Sequence, residues 1–270
     1  MFTYLFFDGI ITKDKRGLKC MKALVTGASS GIGYDISKYL AKRGYDIIAV
    51  ARNKRALENL ESEIKTNVKI ICTDLSLKDN CIQLYEKLKG DEIDVLINNA
   101  GFGMYGNFDV LDLNKEIEMI NVNIIACDIL TKLFLRDMKK RNRGFILNVG
   151  SLAGFMPGPL MSSYYASKSY VVKLTQAIRK ELKKSKSGVS VSVLCPGPVN
   201  TNFNNTAGVK FAVKPLSSEY VAKYAIDMMF KRKLVIVPGF TIKLARFFSK
   251  FTPDNILSEI TYYIQTRKDK

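Results

Sequence analysis

Histidine is absent from this 270-residue chain, and so is tryptophan. Without an imidazole there can be no histidine-based catalytic triad, and the usual His/Cys zinc sites are ruled out. The five cysteines, Cys20, Cys72, Cys81, Cys127 and Cys195, show no paired spacing. Scattered thiols argue against a metal cluster or a disulfide framework and predict a reducing, cytoplasmic setting. Cys195, flanked by apolar residues with no base nearby in sequence, reads as a small packed residue rather than a nucleophile. No apolar run reaches the roughly 18 residues that a spanning helix needs. Acidic residues are also scarce, 25 against 42 Lys and Arg, for a formal net charge of +17. The basic clusters at 136–143, 179–186 and 231–233 are separated by ordinary sequence and carry no interleaved aromatics. They read as solvated helix ends and predict no specific nucleic-acid partner.

What is present is 47% hydrophobic residues, enough for a substantial core. Apolar runs of four to six residues alternate with helical stretches, without repeats or low-complexity segments. That pattern predicts βαβ units and a parallel sheet in one α/β domain. Three segments are expected: an extension over 1–20, a catalytic domain over 21–240 and a helical extension over 241–270. Residues 1–20 lack a leading basic region, so a signal peptide is not expected; Met21 reads as the natural start or 1–20 as a loosely held extension.

Ala23-Leu24-Val25 leads into Thr26-Gly27-Ala28-Ser29-Ser30-Gly31-Ile32-Gly33, a glycine-rich turn between a strand and a helix. Such a turn lets a pyrophosphate approach backbone N–H groups at the helix N-terminus without Cβ clashes. The second strand, Asp46 to Ala51, ends without an acid and is followed by Arg52. A carboxylate there would hold an NAD ribose, whereas a guanidinium suits the 2′-phosphate of NADP, with Ser29 and Ser30 as added donors. The plainer alternative is a solvated arginine at a helix start. A third strand, Val68 to Cys72, runs into Thr73-Asp74-Leu75, where Asp74 could equally be a helix N-cap.

Ser151 ends the apolar run Phe145 to Gly150, and Tyr164 follows it by thirteen residues. Tyr164 and Lys168 stand four residues apart, so on a helix they share a face. A free phenol titrates at about 10, and a nearby ammonium favours the phenolate. Tyr165 competes for the role but lacks the four-residue step to Lys168.

These segments resemble the signatures of the short-chain dehydrogenase/reductase family, in its compact single-domain branch, from about Met21 to Val237. The resemblance implies a Rossmann-type doubly wound parallel sheet of seven strands, order 3-2-1-4-5-6-7, with helices on both faces. It implies an oxidoreductase passing hydride between a nicotinamide and a carbonyl or alcohol substrate. Tyr164 would be the acid/base, Lys168 would lower its pKa and hold the nicotinamide ribose, and Ser151 would orient the substrate oxygen. Asn123 would hold a water relay; the two asparagines at 121 and 123 cannot share one helix face, and Asn123 is preferred because it lies 25 residues after Asn98 and follows a valine, as in the family's Val-Asn pair. For the cofactor, the resemblance adds Gly27, Gly31, Ile32, Gly33, Asp74 and Leu75. It also adds Asn98, Ala100 and Gly101 from Asn98-Asn99-Ala100-Gly101, with Asn98 partly a brace for the central strand. Pro196, Gly197, Val199 and Thr201 would hold the carboxamide. NADP(H) is favoured over NAD(H).

Phe102, Met104, Tyr105, Phe155, Met156, Leu160, Phe203 and Phe211 fall where the family surrounds the nicotinamide, so an apolar or bulky substrate is expected. A homodimer or homotetramer is implied as well. A dinucleotide-responsive regulatory protein on the same fold is the alternative, disfavoured by the intact Ser151, Tyr164 and Lys168. In the tail, Lys243, Arg246 and Lys250 oppose Leu244, Phe248 and Phe251, and Ile256, Ile260, Tyr263 and Ile264 form a second series. Two helices docked over the pocket or a subunit interface, and a basic amphipathic contact with a membrane surface, both satisfy that pattern.

Overall fold

The computed structural model describes residues 21–201, 203 and 215–266. The extension 1–20 and Phe211 lie outside the described residues. Strands β1 (Lys22–Thr26), β2 (Asp46–Ala51), β3 (Val68–Cys72), β4 (Ile93–Asn98), β5 (Gly144–Val149) and β6 (Val189–Leu194) follow the predicted apolar runs. Helices α1 (Gly31–Lys42), α2 (Lys54–Glu63) and α3 (Lys78–Leu88) separate the first four strands. Between β4 and β5 run α4 (Leu113–Ile120), a π-helical turn (Asn121–Ala126) and α5 (Cys127–Arg141). Helix α6 (Ser162–Lys184) precedes β6.

All neighbouring strands of the main sheet pair in parallel. Its order is β3-β2-β1-β4-β5-β6-β9, the sevenfold order that the family resemblance implies. The seventh strand is β9 (Val235–Ile236), because β7 (Val199–Asn200) and β8 (Leu216–Ser217) pair only with each other. Helices α7 (Ser218–Phe230), α8 (Phe240–Phe248) and α9 (Asp254–Thr266) complete the described chain.

The inner strands β1, β2, β4, β5 and β6 are buried on both faces, which explains their largely apolar sequences, while the edge strand β3 is partly exposed. Alternate residues serve opposite layers. Ala23 and Val25 of β1 pack with Ile36 and Leu40 of α1 and Val221 and Ile226 of α7. Leu24, between them, packs with Leu84 of α3, Leu130 and Phe134 of α5 and Leu182 of α6. A rigid sheet sandwiched in this way fixes the strand ends, where the loops of the site begin.

Candidate active site

The carboxyl ends of β1, β2, β4, β5 and β6 border one continuous cleft of about 1140 Å³. Its wall at β1 is the glycine turn. Gly27 has φ +65°, and a Cβ there would lie 2.8 Å from Asn99 Nδ2. Gly31 has φ +56° with Thr201 Cγ2 2.9 Å from the same hypothetical atom, and a methyl on Gly33 would collide with the Gly27 carbonyl. The turn is therefore held against its neighbours with no room for side chains. Ser30 caps α1 through backbone alone, and no acid occupies the first turn. The geometry leaves the positive end of α1 facing the cleft, a cradle that fits the diphosphate of a dinucleotide.

Thr26 and Asn99 brace this turn. Thr26 Oγ1 donates to the Ile97 carbonyl and accepts from the N–H groups of Asn99 and Ala100. Asn99 Nδ2 donates to the carbonyls of Thr26 (3.0 Å) and Gly27 (3.1 Å). Asn99, not Asn98, lines the cleft. This corrects the assignment of Asn98 to the cofactor. Asn98 is 5% exposed, and its Nδ2 donates to Thr131 Oγ1 and Asn148 Oδ1, both at 2.9 Å. It belongs to a buried polar brace that continues from Asn148 Nδ2 to Thr175.

At the adenine end, Arg52 lines the cleft with Ser29, Ser30, Ile32, Asp74 and Leu75. Arg52 Nη1 donates to Glu118 Oε1 at 2.7 Å and stands 3.9 Å from Asp74 Oδ2. Glu118, on α4, also lines the cleft, as does Lys115. Neither was legible as a site residue, because α4 reads as an ordinary amphipathic helix. Asp74 is no helix N-cap: α3 starts at Lys78, and Asp74 Oδ1 accepts from the Ser76 N–H.

At the other end stand Ser151, Tyr164 and Lys168. Ser151 follows β5 and caps a short 3₁₀ turn, its Oγ accepting from the Ala153 N–H at 3.1 Å. Leu152 N–H donates to the Pro196 carbonyl at 2.8 Å, tying this turn to the loop after β6. Tyr164, in the first turn of α6, lines the same end of the cleft as Ser151, whose hydroxyl favours its phenolate. Lys168, one turn on, is buried, with Nζ donating to the Val149 carbonyl at 3.0 Å and standing 5.7 Å from the Tyr164 ring centre. Burial pushes the Lys168 ammonium down to about 8 and raises the Tyr164 phenol, the Ser151 hydroxyl opposing the latter only in part. Burial therefore dominates the phenol's environment, and Lys168, 5.7 Å from the ring centre, does not offset it. Tyr165 points elsewhere: its hydroxyl accepts from Gln265 Nε2 at 2.8 Å.

Asn123 lies in the π-helical turn, 2% exposed, while Asn121 is half-buried. Asn123 Nδ2 donates to the Phe102 carbonyl and Ser167 Oγ, and Oδ1 accepts from the Phe102 N–H. Its amide therefore pins the loop after β4 and does not line the cleft. A Cβ on Gly101 would lie 2.7 Å from Asn123 Oδ1 and 3.4 Å from Lys168 Nζ, so the two side chains converge beneath Gly101. Ala100, Gly101, Pro196, Gly197, Val199 and Thr201 also line the cleft.

Phe102, Met104, Tyr105, Met156, Met161 and Phe203 form the apolar end. Phe155 and Leu160 do not line it. Phe155 is covered by the Arg246 guanidinium at 4.7 Å, and the Leu160 carbonyl accepts from Gly106. The tail supplies Thr241, Ile242, Ala245, Thr261, Ile264 and Gln265 to the same wall.

A family model described as short chain dehydrogenase matches residues 21–210. The chain belongs to the short-chain dehydrogenase family. It is 36% identical over 211 residues to the very-long-chain 3-oxoacyl-CoA reductase of Anas platyrhynchos, covering 74% of this chain and 66% of that protein. A short-chain dehydrogenase from Sphingobium yanoikuyae in complex with NADPH superposes with a TM-score of 0.76 at 30% identity, covering 82% of this chain and 88% of that one. The bulky-bulky ketone specific alcohol dehydrogenase from Comamonas testosteroni gives 0.73 at 28% identity, with 82% and 86% covered. The match spans about 60–66% of the length of the first curated relatives.

Proposed function

We propose that the chain is an NADP(H)-dependent reductase of apolar or bulky ketones, acting on the carbonyl/secondary-alcohol pair. The observation that carries it is the junction of Tyr164, Ser151 and Lys168 at the end of a cleft whose other wall is the glycine cradle. When bound, NADP(H) supplies the hydride at its nicotinamide. The chain's part is to bind, orient and move a proton. Ser151 Oγ hydrogen-bonds the substrate oxygen, and the Tyr164 O–H, on the same side, gives its proton as negative charge develops on that oxygen. Desolvation keeps the phenol protonated near neutrality, the form a reduction needs. Lys168, still largely charged near neutrality, supports the phenolate left behind.

The preference for NADP(H) rests on Arg52 and on Ala51 standing where an acid would hold the NAD ribose. The apolar end, with Phe102, Met104, Met161 and Phe203, favours a bulky apolar carbonyl. The test is Tyr164→Phe assayed by NADPH oxidation against ketones, aldehydes and 3-oxoacyl thioesters. Turnover should fall by about 10²–10⁴-fold, with NADPH affinity nearly intact. Undiminished turnover refutes the assignment.

A further inference from the structure

The described tail turns its apolar residues outward. In α8 the side turned inward is Ile242, which sits on Gly197, with Arg246 stacked on Phe155. The opposite side carries Phe240, Leu244, Phe247, Phe248 and Phe251, all exposed, Phe240 at 77% and Phe251 at 72%. These rings contact one another: Phe247 lies 5.7 Å from Phe248 and 5.2 Å from Phe251. In α9 the docked side is Leu257, Thr261 and Gln265, with Thr261 Oγ1 donating to the Pro157 carbonyl at 2.9 Å. Ile256, Ile260, Tyr263 and Ile264, the stripe that periodicity marks, is exposed. Both helices thus turn large apolar and aromatic side chains outward rather than burying them against the protein.

We propose that this α8–α9 face rests on a lipid surface bearing anionic headgroups, and that the apolar end of the cleft opens beside it. From residue 240 to 253 the chain carries Lys243, Arg246 and Lys250 and no acid, within a chain of net charge +17. Lys250 is exposed beside the phenylalanines, so its stem can lie along lipid while the ammonium meets headgroups; Lys243 is exposed too, with its ammonium 5.3 Å from the Tyr224 ring centre of α7. Among the described residues no helix is long and apolar enough to cross a membrane, so the contact is peripheral. Thr241 and Ala245 of α8 and Ile264 of α9 line the cleft and are themselves exposed. An apolar carbonyl dissolved in the bilayer then reaches the site without crossing water. This access rests on the proposed reductase activity; the lipid contact does not.

The test is co-sedimentation of the full chain with vesicles of phosphatidylcholine, with and without phosphatidylserine. Binding should require phosphatidylserine and weaken with salt. Replacing both Phe247 and Phe251 by Ser should weaken it at least about tenfold, and each of Lys243→Gln and Lys250→Gln by about fivefold. The Phe247/Phe251 and Lys250 variants should melt with the unmodified protein, since those side chains are exposed, whereas Lys243→Gln also gives up a cation–π contact with Tyr224. NADPH oxidation with a water-soluble ketone should be unchanged in the Phe247/Phe251 variant, and slowed only for a ketone held in the vesicles. Failure to sediment with either vesicle overturns the proposal. So does vesicle binding indifferent to these substitutions, or a dimer that the serine variant dissolves while vesicles are ignored. Vesicle binding with no ketone turned over overturns the reductase reading and leaves the lipid contact standing.

Discussion

Arg52 offers the sharpest quantitative test of cofactor choice, because the structure shows what it must give up. Its guanidinium is 62% exposed and paired with Glu118 at 2.7 Å. Such exposed pairs are worth about 0.2–1 kcal/mol. A 2′-phosphate brings more charge and accepts paired, charge-assisted bonds, each of about 1.5–3 kcal/mol. The phosphate should therefore displace Glu118 and still gain. Arg52→Ala removes both terms, so NADPH affinity should fall by roughly tenfold to a hundredfold, while NADH affinity stays within about twofold. Glu118→Gln removes only the competitor. It should tighten NADPH by about 1.4- to 5-fold and leave NADH unchanged. Fluorescence titration of each cofactor against the three proteins measures all six constants. Equal losses of NADH and NADPH in Arg52→Ala, or equal affinity of the unmodified protein for both, refutes the reasoning.

Three further outcomes follow from burial. Lys168 titrates at about 8 in the fold against 10.5 free, so the folded state binds fewer protons between those values. Its burial penalty is therefore full below pH 8 and is relieved as pH rises toward 10.5, about 3 kcal/mol at most. Lys168→Met should gain stability relative to the unmodified protein near pH 7, and that gain should shrink above pH 8; a melting difference flat in pH contradicts this. Asn98→Ala should cost about 1–3 kcal/mol, seen in urea melts, with cofactor affinity of the folded fraction unchanged, since its partners are Thr131 and Asn148. Gln265→Ala strands the buried Tyr165 hydroxyl and should lower the melting temperature by several degrees, at about 1–3 kcal/mol; an unchanged melt would show that α9 is not held there.

The parts of the site that were legible in sequence are those set by local geometry. A strand running into a glycine-rich turn, and a phenol four residues before an amine on a helix, need no knowledge of distant chain. Ser151 was legible too, because its strand is an unbroken apolar run that stops beside it. Asn98 and Asn99 show where this fails. Both sit at a strand end, and a strand turns successive side chains to opposite faces. Sequence places the pair but not which face is the cleft. The answer lies in Thr131, Asn148 and Thr26, contributed by α5, β5 and β1. Glu118 lies 66 residues from Arg52, and only the closed fold brings them together.

The tail stayed open in the sequence for a different reason. Helical periodicity reports where apolar residues cluster, and the usual inference is that the cluster faces the protein. In α9 the inward side is Leu257, Thr261 and Gln265, whose polar atoms meet the Pro157 carbonyl and the Tyr165 hydroxyl. Those acceptors sit on the loop and helix walling the apolar end of the cleft. A purely apolar inner face would leave the half-buried Tyr165 without its Gln265 partner, at a cost comparable to a lost hydrogen bond. Docking on this wall therefore selects for polar residues inside and frees the isoleucines to face outward. In α8 Arg246 lies over the Phe155 ring at 4.7 Å, a cation–π contact rather than a hydrogen bond. Both helices therefore meet the protein through mixed sides, Ile242 with Arg246 in α8 and Leu257 with Thr261 and Gln265 in α9, and periodicity of apolar residues alone does not reveal such a side.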